Sequence, residues 1–130
     1  MPSIFTKIIE GSIPAHIVHQ NEDFIAFLDI MPLAKGHTLI VPKKEVDYIF
    51  DMESAEYSKL WSYAQEVAKA MKSVIPCKKI GIAVIGLEVP HAHIHLVPMN
   101  EVSDLNFERK RVQAEATELS QIAELIKNAI

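Results

Sequence analysis

Residues 91–97 read His-Ala-His-Ile-His-Leu-Val, and this alternation constrains the chain more than any other stretch. Side chains on a β-strand point to opposite faces in turn. The segment as a strand therefore puts three imidazoles on one face and Ala92, Ile94 and Leu96 on the other. The apolar face has to pack against a core, while the other face, with imidazoles starting roughly 6.6 Å apart at the backbone, is a candidate site. Six histidines in 130 residues would rarely put three at alternate positions by chance.

The rest of the chain supplies the core this strand needs. Ser3 predicts the N-cap of a short helix with Ile4 over Ile8 and Phe5 over Ile9, stopped at Gly11. Ile17-Val18 and Phe24–Leu28, separated by the Asn21-Glu22-Asp23 turn, read as a hairpin, and Thr38–Val41 after Lys35-Gly36 reads as a third strand ended by Pro42. From Ser54, taken as an N-cap, apolar residues recur at steps of three and four through Tyr57, Leu60, Trp61, Ala64, Val67, Ala68, Met71, Val74 and Ile75. This is one face of a long helix that Pro76 ends. Strands over Lys79–Ile85 and His91–Val97 follow, then a helix over Glu115–Ala129 with Leu119, Ile122, Ala123, Leu125 and Ile126 on one side. Strands outnumber helices without alternating with them, so the expected class is α+β: a largely antiparallel sheet of about five strands with one long helix laid on it.

Composition narrows the function. An apolar fraction of 49% with no linker, repeat or low-complexity segment suits one domain over residues 1–130. A formal charge of −4 disfavours nucleic acid as a partner but leaves room for one small phosphate ester. No basic segment leads into a long apolar run at the N-terminus, so no signal peptide or membrane span is expected. The single Cys77 excludes a disulfide framework and fits a reducing cytoplasm.

Two chemistries suit the histidine row. Imidazoles two apart on a strand can ligate zinc, although no neighbouring Cys or carboxylate completes a ligand set in the sequence. Alternatively, a neutral imidazole can attack phosphorus and form a covalent intermediate that water resolves, and clustering keeps one member neutral near pH 7.

The segment resembles the signature of the histidine triad (HIT) superfamily, His-φ-His-φ-His-φ-φ with φ apolar. Three further blocks are similar to that family and occur in its order: Ile4-Phe5-x-Lys7-Ile8-Ile9-x-Gly11-x-Ile13-Pro14, Ala26–Ile30 and Gly36–Lys44. Together they span Ile4 to Met99, leave only the last helix unmatched, and sit nearest the Hint-like branch of purine nucleoside phosphoramidases. The resemblance implies the HIT-like fold, a homodimer whose sheets join, and hydrolysis at the α-phosphate of a purine nucleoside 5′-phosphate conjugate of the AMP or GMP type, with no cofactor or metal. It makes His93 the nucleophile, places His95 on the phosphate or leaving group, and gives His91 and His37 orienting roles. Asp29 corresponds to the carboxylate on the ribose hydroxyls, and Phe5, Ile8, Ile13, Phe27 and Ile30 to the base pocket.

One departure stands out. Members of the family commonly lead into the triad with Gly-Gln-Ser/Thr-Val-x-His, whereas this chain has Gly86-Leu87-Glu88-Val89-Pro90-His91, which lacks the hydroxyl and amide and puts Glu88 near an anionic ligand. Two rivals to a phosphoramidase follow: a nucleotide-binding regulatory or scaffold protein with negligible turnover, and a zinc-dependent hydrolase using the same histidines. His16, His19, Lys43, Lys44 and the Glu108–Arg111 run are read as surface residues, and Cys77 as an inert thiol.

Overall fold

The computed structural model describes residues 2–130. Helix α1 (Ile4–Ile9) leads into strands β1 (Ile17–Gln20), β2 (Phe24–Leu28) and β3 (Thr38–Pro42). The long helix α2 (Ser54–Val74), strands β4 (Lys79–Ala83) and β5 (Ile94–Met99), and helix α3 (Ala116–Ala129) follow. The five strands form one antiparallel sheet in the order β1-β2-β3-β5-β4, so the expected α+β class holds. Two 3₁₀ turns, Ile49–Asp51 and Val102–Leu105, have no periodicity to announce them in the sequence. Among the described residues no helix is long and apolar enough to cross a membrane.

The sheet is apolar on both faces. Alternate residues Phe24, Ala26 and Leu28, with Ile40, Ile94 and Leu96, meet Leu60, Ala64, Val67 and Met71 of α2 and Leu119, Ala123 and Ile126 of α3. The intervening residues Ile25, Phe27, Leu39 and Val41 face the other way and pack on Phe5 of α1. That second layer is thin, one helix of six residues, and it covers the face on which the histidines stand.

Several expectations need correction. Ser54 is the first residue of α2 rather than its cap; Glu53 holds the cap position and makes no side-chain bond there. The buried stripe of α2 includes Tyr63 and Ala70, which the three-and-four spacing passed over. Tyr63 is drawn in by stacking on Phe24 at 5.4 Å. Ile4 and Leu125, expected on the packed faces of their helices, are exposed. Strand β4 stops at Ala83.

The most consequential correction concerns the triad strand. Its ladder begins at Ile94, three residues after His91. The register Ile40↔Ile94 would set Pro42 opposite Ala92, and proline has no N–H to give the ladder. The Ala92 N–H turns instead to the carbonyl of Val46 at 2.6 Å. His91 and His93 thus sit on a bent lead into β5, and only His95 lies within it.

Candidate active site

None of the triad histidines is a solvated edge-strand residue: His91, His93 and His95 are all buried, and so is His37. Burial obliges each imidazole to find partners, and the partners fix where the protons sit.

His37 opens β3. Its position depends on Gly36, which takes φ +97°, a backbone conformation that residues with a Cβ rarely adopt. The His37 carbonyl accepts the Asp29 N–H at 2.9 Å, closing the loop between β2 and β3. Its ring Nδ1 accepts the Leu33 N–H at 3.0 Å. A nitrogen that accepts is unprotonated, so in the neutral ring the proton is on Nε2, which donates to His95 Nδ1 at 3.0 Å. His95 in turn carries its proton on Nε2.

The other end of the row is built from α1. Ser3 caps that helix by accepting the Thr6 N–H at 3.0 Å, and its hydroxyl donates to His91 Nδ1 at 2.7 Å. His91 Nε2–H donates to the Pro42 carbonyl at 2.8 Å. Glu45 secures this corner by accepting from the Ser3 N–H and the Thr6 hydroxyl, each at 2.7 Å, bonds that hold its carboxylate down at about 2. The His91 carbonyl then accepts His93 Nδ1–H at 2.8 Å.

The result is a division of labour. His37 and His91 have both ring nitrogens committed within the protein. His93 and His95, ring centroids 4.7 Å apart, each have one nitrogen bonded and the other left over: a bare lone pair on His93 Nε2 and an N–H on His95 Nε2. Burial pushes His37 and His95 down to about 3, with Arg111 and neighbouring histidines adding to the effect. Burial also holds His93 below the usual histidine value. All three are neutral near pH 7, so the lone pair is available. A nucleophile beside a hydrogen-bond donor is the arrangement that acyl or phosphoryl transfer requires.

The remaining expected site residues separate into groups. Phe5, Ile8 and Phe27 come together in the layer beneath the histidines, where the Phe5 ring lies 4.8 Å from that of His93. Ile13 is half-buried on the turn after α1. Ile30 is 67% exposed and faces a different cleft, shared with Met31 and residues 110–115. Asp29 is largely buried, with one oxygen accepting the Met31 N–H at 2.8 Å and the other 3.7 Å from His37 Nε2. Desolvation raises its pKa. Glu88 is exposed, yet its charge acts on both Asp29 and His93.

Three participants escaped the sequence reading. Ser3 gave only a capping signal, Glu45 gave none, and Arg111, read as part of a solvated run, is half-buried and donates to the Met31 carbonyl at 3.2 Å. His19 sits on an edge strand as expected but is bonded to Tyr63 at 2.9 Å.

Asp29, His37 and His95 offer ligand atoms within 4.8 Å of one another, a spacing a metal ion could use. The donor chemistry disagrees. A metal on His37 would need the Nε2 lone pair, and while Nδ1 accepts from Leu33 that nitrogen bears the proton.

Comparison with known proteins shows which family carries this fold. A family model described as the HIT domain matches residues 10–102. The chain belongs to the HIT family. An uncharacterised HIT-like protein of Methanocaldococcus jannaschii is 40% identical over 108 residues, covering 75% of this chain and 79% of its own. The crystal structure of a HIT-like protein involved in cell-cycle regulation from Bartonella henselae superposes with a TM-score of 0.87 at 31% identity, covering 98% of this chain and 96% of that one. A zinc-bound histidine triad family protein from Mycobacterium smegmatis gives 0.82 at 26% identity, with 97% and 91% coverage. The HIT match ends just after β5, so residues 103–130 of this HIT chain, which include Phe107 and Arg111, lie outside the family model.

Proposed function

We propose that the protein is a nucleotide hydrolase of the phosphoramidase type, cleaving a purine nucleoside 5′-phosphate conjugate at the α-phosphorus through a nucleotidyl-His93 intermediate. The observation that carries this reading is the His93 ring, whose Nδ1–H is held by the His91 carbonyl at 2.8 Å while Nε2 stays bare. In the first step Nε2 attacks phosphorus, the bond to the leaving group breaks, and the leaving group takes a proton from solvent as it departs. The His93 ring becomes an imidazolium, and its Nδ1–H bond to the carbonyl stabilises that charge. His95 Nε2–H, next to the nucleophile, donates to an oxygen of the pentacovalent phosphorus. Water then attacks phosphorus, His93 leaves neutral, and the surplus proton returns to solvent.

Asp29, adjacent to the row, is assigned to the ribose hydroxyls, and the Phe5–Phe27 layer to the base. Assembly as a homodimer belongs to the same reading. It is supported by β4, an edge of the sheet, which exposes Ile82 and runs on into exposed Ile85 and Leu87. A cytoplasmic setting is supported by the lone free Cys77.

The rival reading, nucleotide binding with negligible turnover, is favoured by the lead Gly86–Pro90, which has no side-chain phosphate donor. One experiment separates the two. On mixing with adenosine 5′-phosphoramidate at a few seconds' delay and acid-free quenching, intact mass should show an AMP adduct that maps to His93 and is missing from His93→Ala. AMP binding without adduct or product release would favour the rival.

A further inference from the structure

The row of histidines lacks something an anionic substrate needs. His37, His93 and His95 are neutral, Asp29 and Glu88 bring negative charge towards them, and residues 86–90 offer no hydroxyl or amide side chain. A phosphate delivered to His93 would meet two carboxylates and no cation from its own strand.

A cation is carried towards the row from outside the family-matched segment. Between the Val102–Leu105 turn and α3 the chain has no regular structure, yet it is pinned to the Asp29–His37 loop by the Val112 N–H bond to the Pro32 carbonyl at 2.8 Å. The Phe107 ring lies edge-on 4.6 Å from His95 and 6.1 Å from His37. The guanidinium carbon of Arg111 sits 5.4 Å from the centre of that same ring. The Met31 and Phe107 carbonyls accept from the guanidinium at 3.2 and 3.5 Å. That leaves three of its five N–H donors uncommitted. Nearby Arg109 spends its charge on Asp104 at 3.0 Å, whereas among the described residues no carboxylate lies within ion-pair distance of Arg111. Its charge is nevertheless felt at Asp29, His37 and His95. Arg111 also lines an open cleft of about 430 Å³ between Ile30 and Met31 and residues 110–115.

We propose that Arg111, carried on the ring of Phe107, is a phosphate-binding residue of the nucleotide site and supplies from the C-terminal segment the anion contact that residues 86–90 do not provide. Arginine suits the position because a planar guanidinium can stack on an aromatic ring and still present a fork of donors to phosphate oxygens. The inference rests on the nucleotide reading of the site, and its test keeps the two apart. AMP and adenosine affinities are measured by calorimetry for the wild type, Arg111→Ala and Arg111→Lys. The wild type should prefer AMP. Arg111→Ala should weaken AMP by about tenfold or more and leave adenosine unchanged, and Arg111→Lys should recover part of the loss because it restores charge without the fork. If Arg111→Ala keeps the AMP preference, or weakens both ligands equally as a purely structural pin would, the inference is overturned and the nucleotide reading stands. If the wild type binds neither ligand, the nucleotide reading falls and takes the inference with it.

Discussion

His91 and His95 are both buried members of the same short row, and they are used differently. His91 stands where α1, Glu45 and the end of β3 converge, and both its nitrogens are consumed by Ser3 and the Pro42 carbonyl. His95 stands within β5, where His37 takes one nitrogen and nothing among the described residues takes the other. The same split separates His37, fully committed, from His93, half committed. A buried imidazole bonded at both nitrogens is a clamp that orients its neighbours. One bonded at a single nitrogen is aligned by that bond and has chemistry to spend.

The comparison is broken most easily where the effect is largest. His93→Ala should lower kcat/KM on adenosine 5′-phosphoramidate by about four orders of magnitude while shifting AMP affinity only a few fold, since the lone pair acts on the reaction more than on ground-state binding. Steady-state kinetics beside AMP calorimetry checks this, and substantial residual turnover would remove the covalent route. His95→Ala should cost about a hundredfold to a thousandfold in kcat, the range for losing one transition-state donor.

The committed histidines should respond in the opposite currency. Ser3→Ala removes the His91 partner and the α1 cap together, and should cost about 1 kcal/mol of stability in urea unfolding with only a few-fold loss of rate. If Ser3→Ala slowed turnover as much as His95→Ala, the distinction between clamp and donor would be wrong.

The last test is of acid stability, where two buried rings act together. His37 and His95 stay neutral in the folded chain down to about pH 3 but take up protons near pH 6.5 once unfolded. The unfolded state therefore binds more protons between these values, and stability is lost as the pH falls from about 6.5 towards 3, by at most on the order of 1 kcal/mol per pH unit for each ring. Denaturant midpoints between pH 7 and 4 would show the slope, and His37→Phe should flatten it.

Much of the fold was legible because it depends on local periodicity. The apolar run of β2, the Asn21 turn, the stripe of α2 from Leu60 to Met71 and the stop at Pro76 are properties of neighbouring residues, and each element formed close to where its pattern lay. The triad alternation announced a strand over His91–Val97, of which only the part from Ile94 formed, with His95 alone of the triad within it. The sequence could not tell that Pro42, fifty residues earlier, would end the ladder and bend the lead at Ala92, because register is a contact between distant segments.

The same reason limits what could be read of the site. Residue types and their order determined that this chain is a HIT protein with His91, His93 and His95 in a row. Which nitrogen of each ring is free was decided only by the tertiary structure, since it depends on the Leu33 N–H, the Ser3 hydroxyl and the Pro42 carbonyl arriving from three separate parts of the chain. Arg111 shows the point most clearly. In sequence it is one charge in a polar run, and only the fold lays it over Phe107 beside His95, because ring stacking and a backbone carbonyl hold it there.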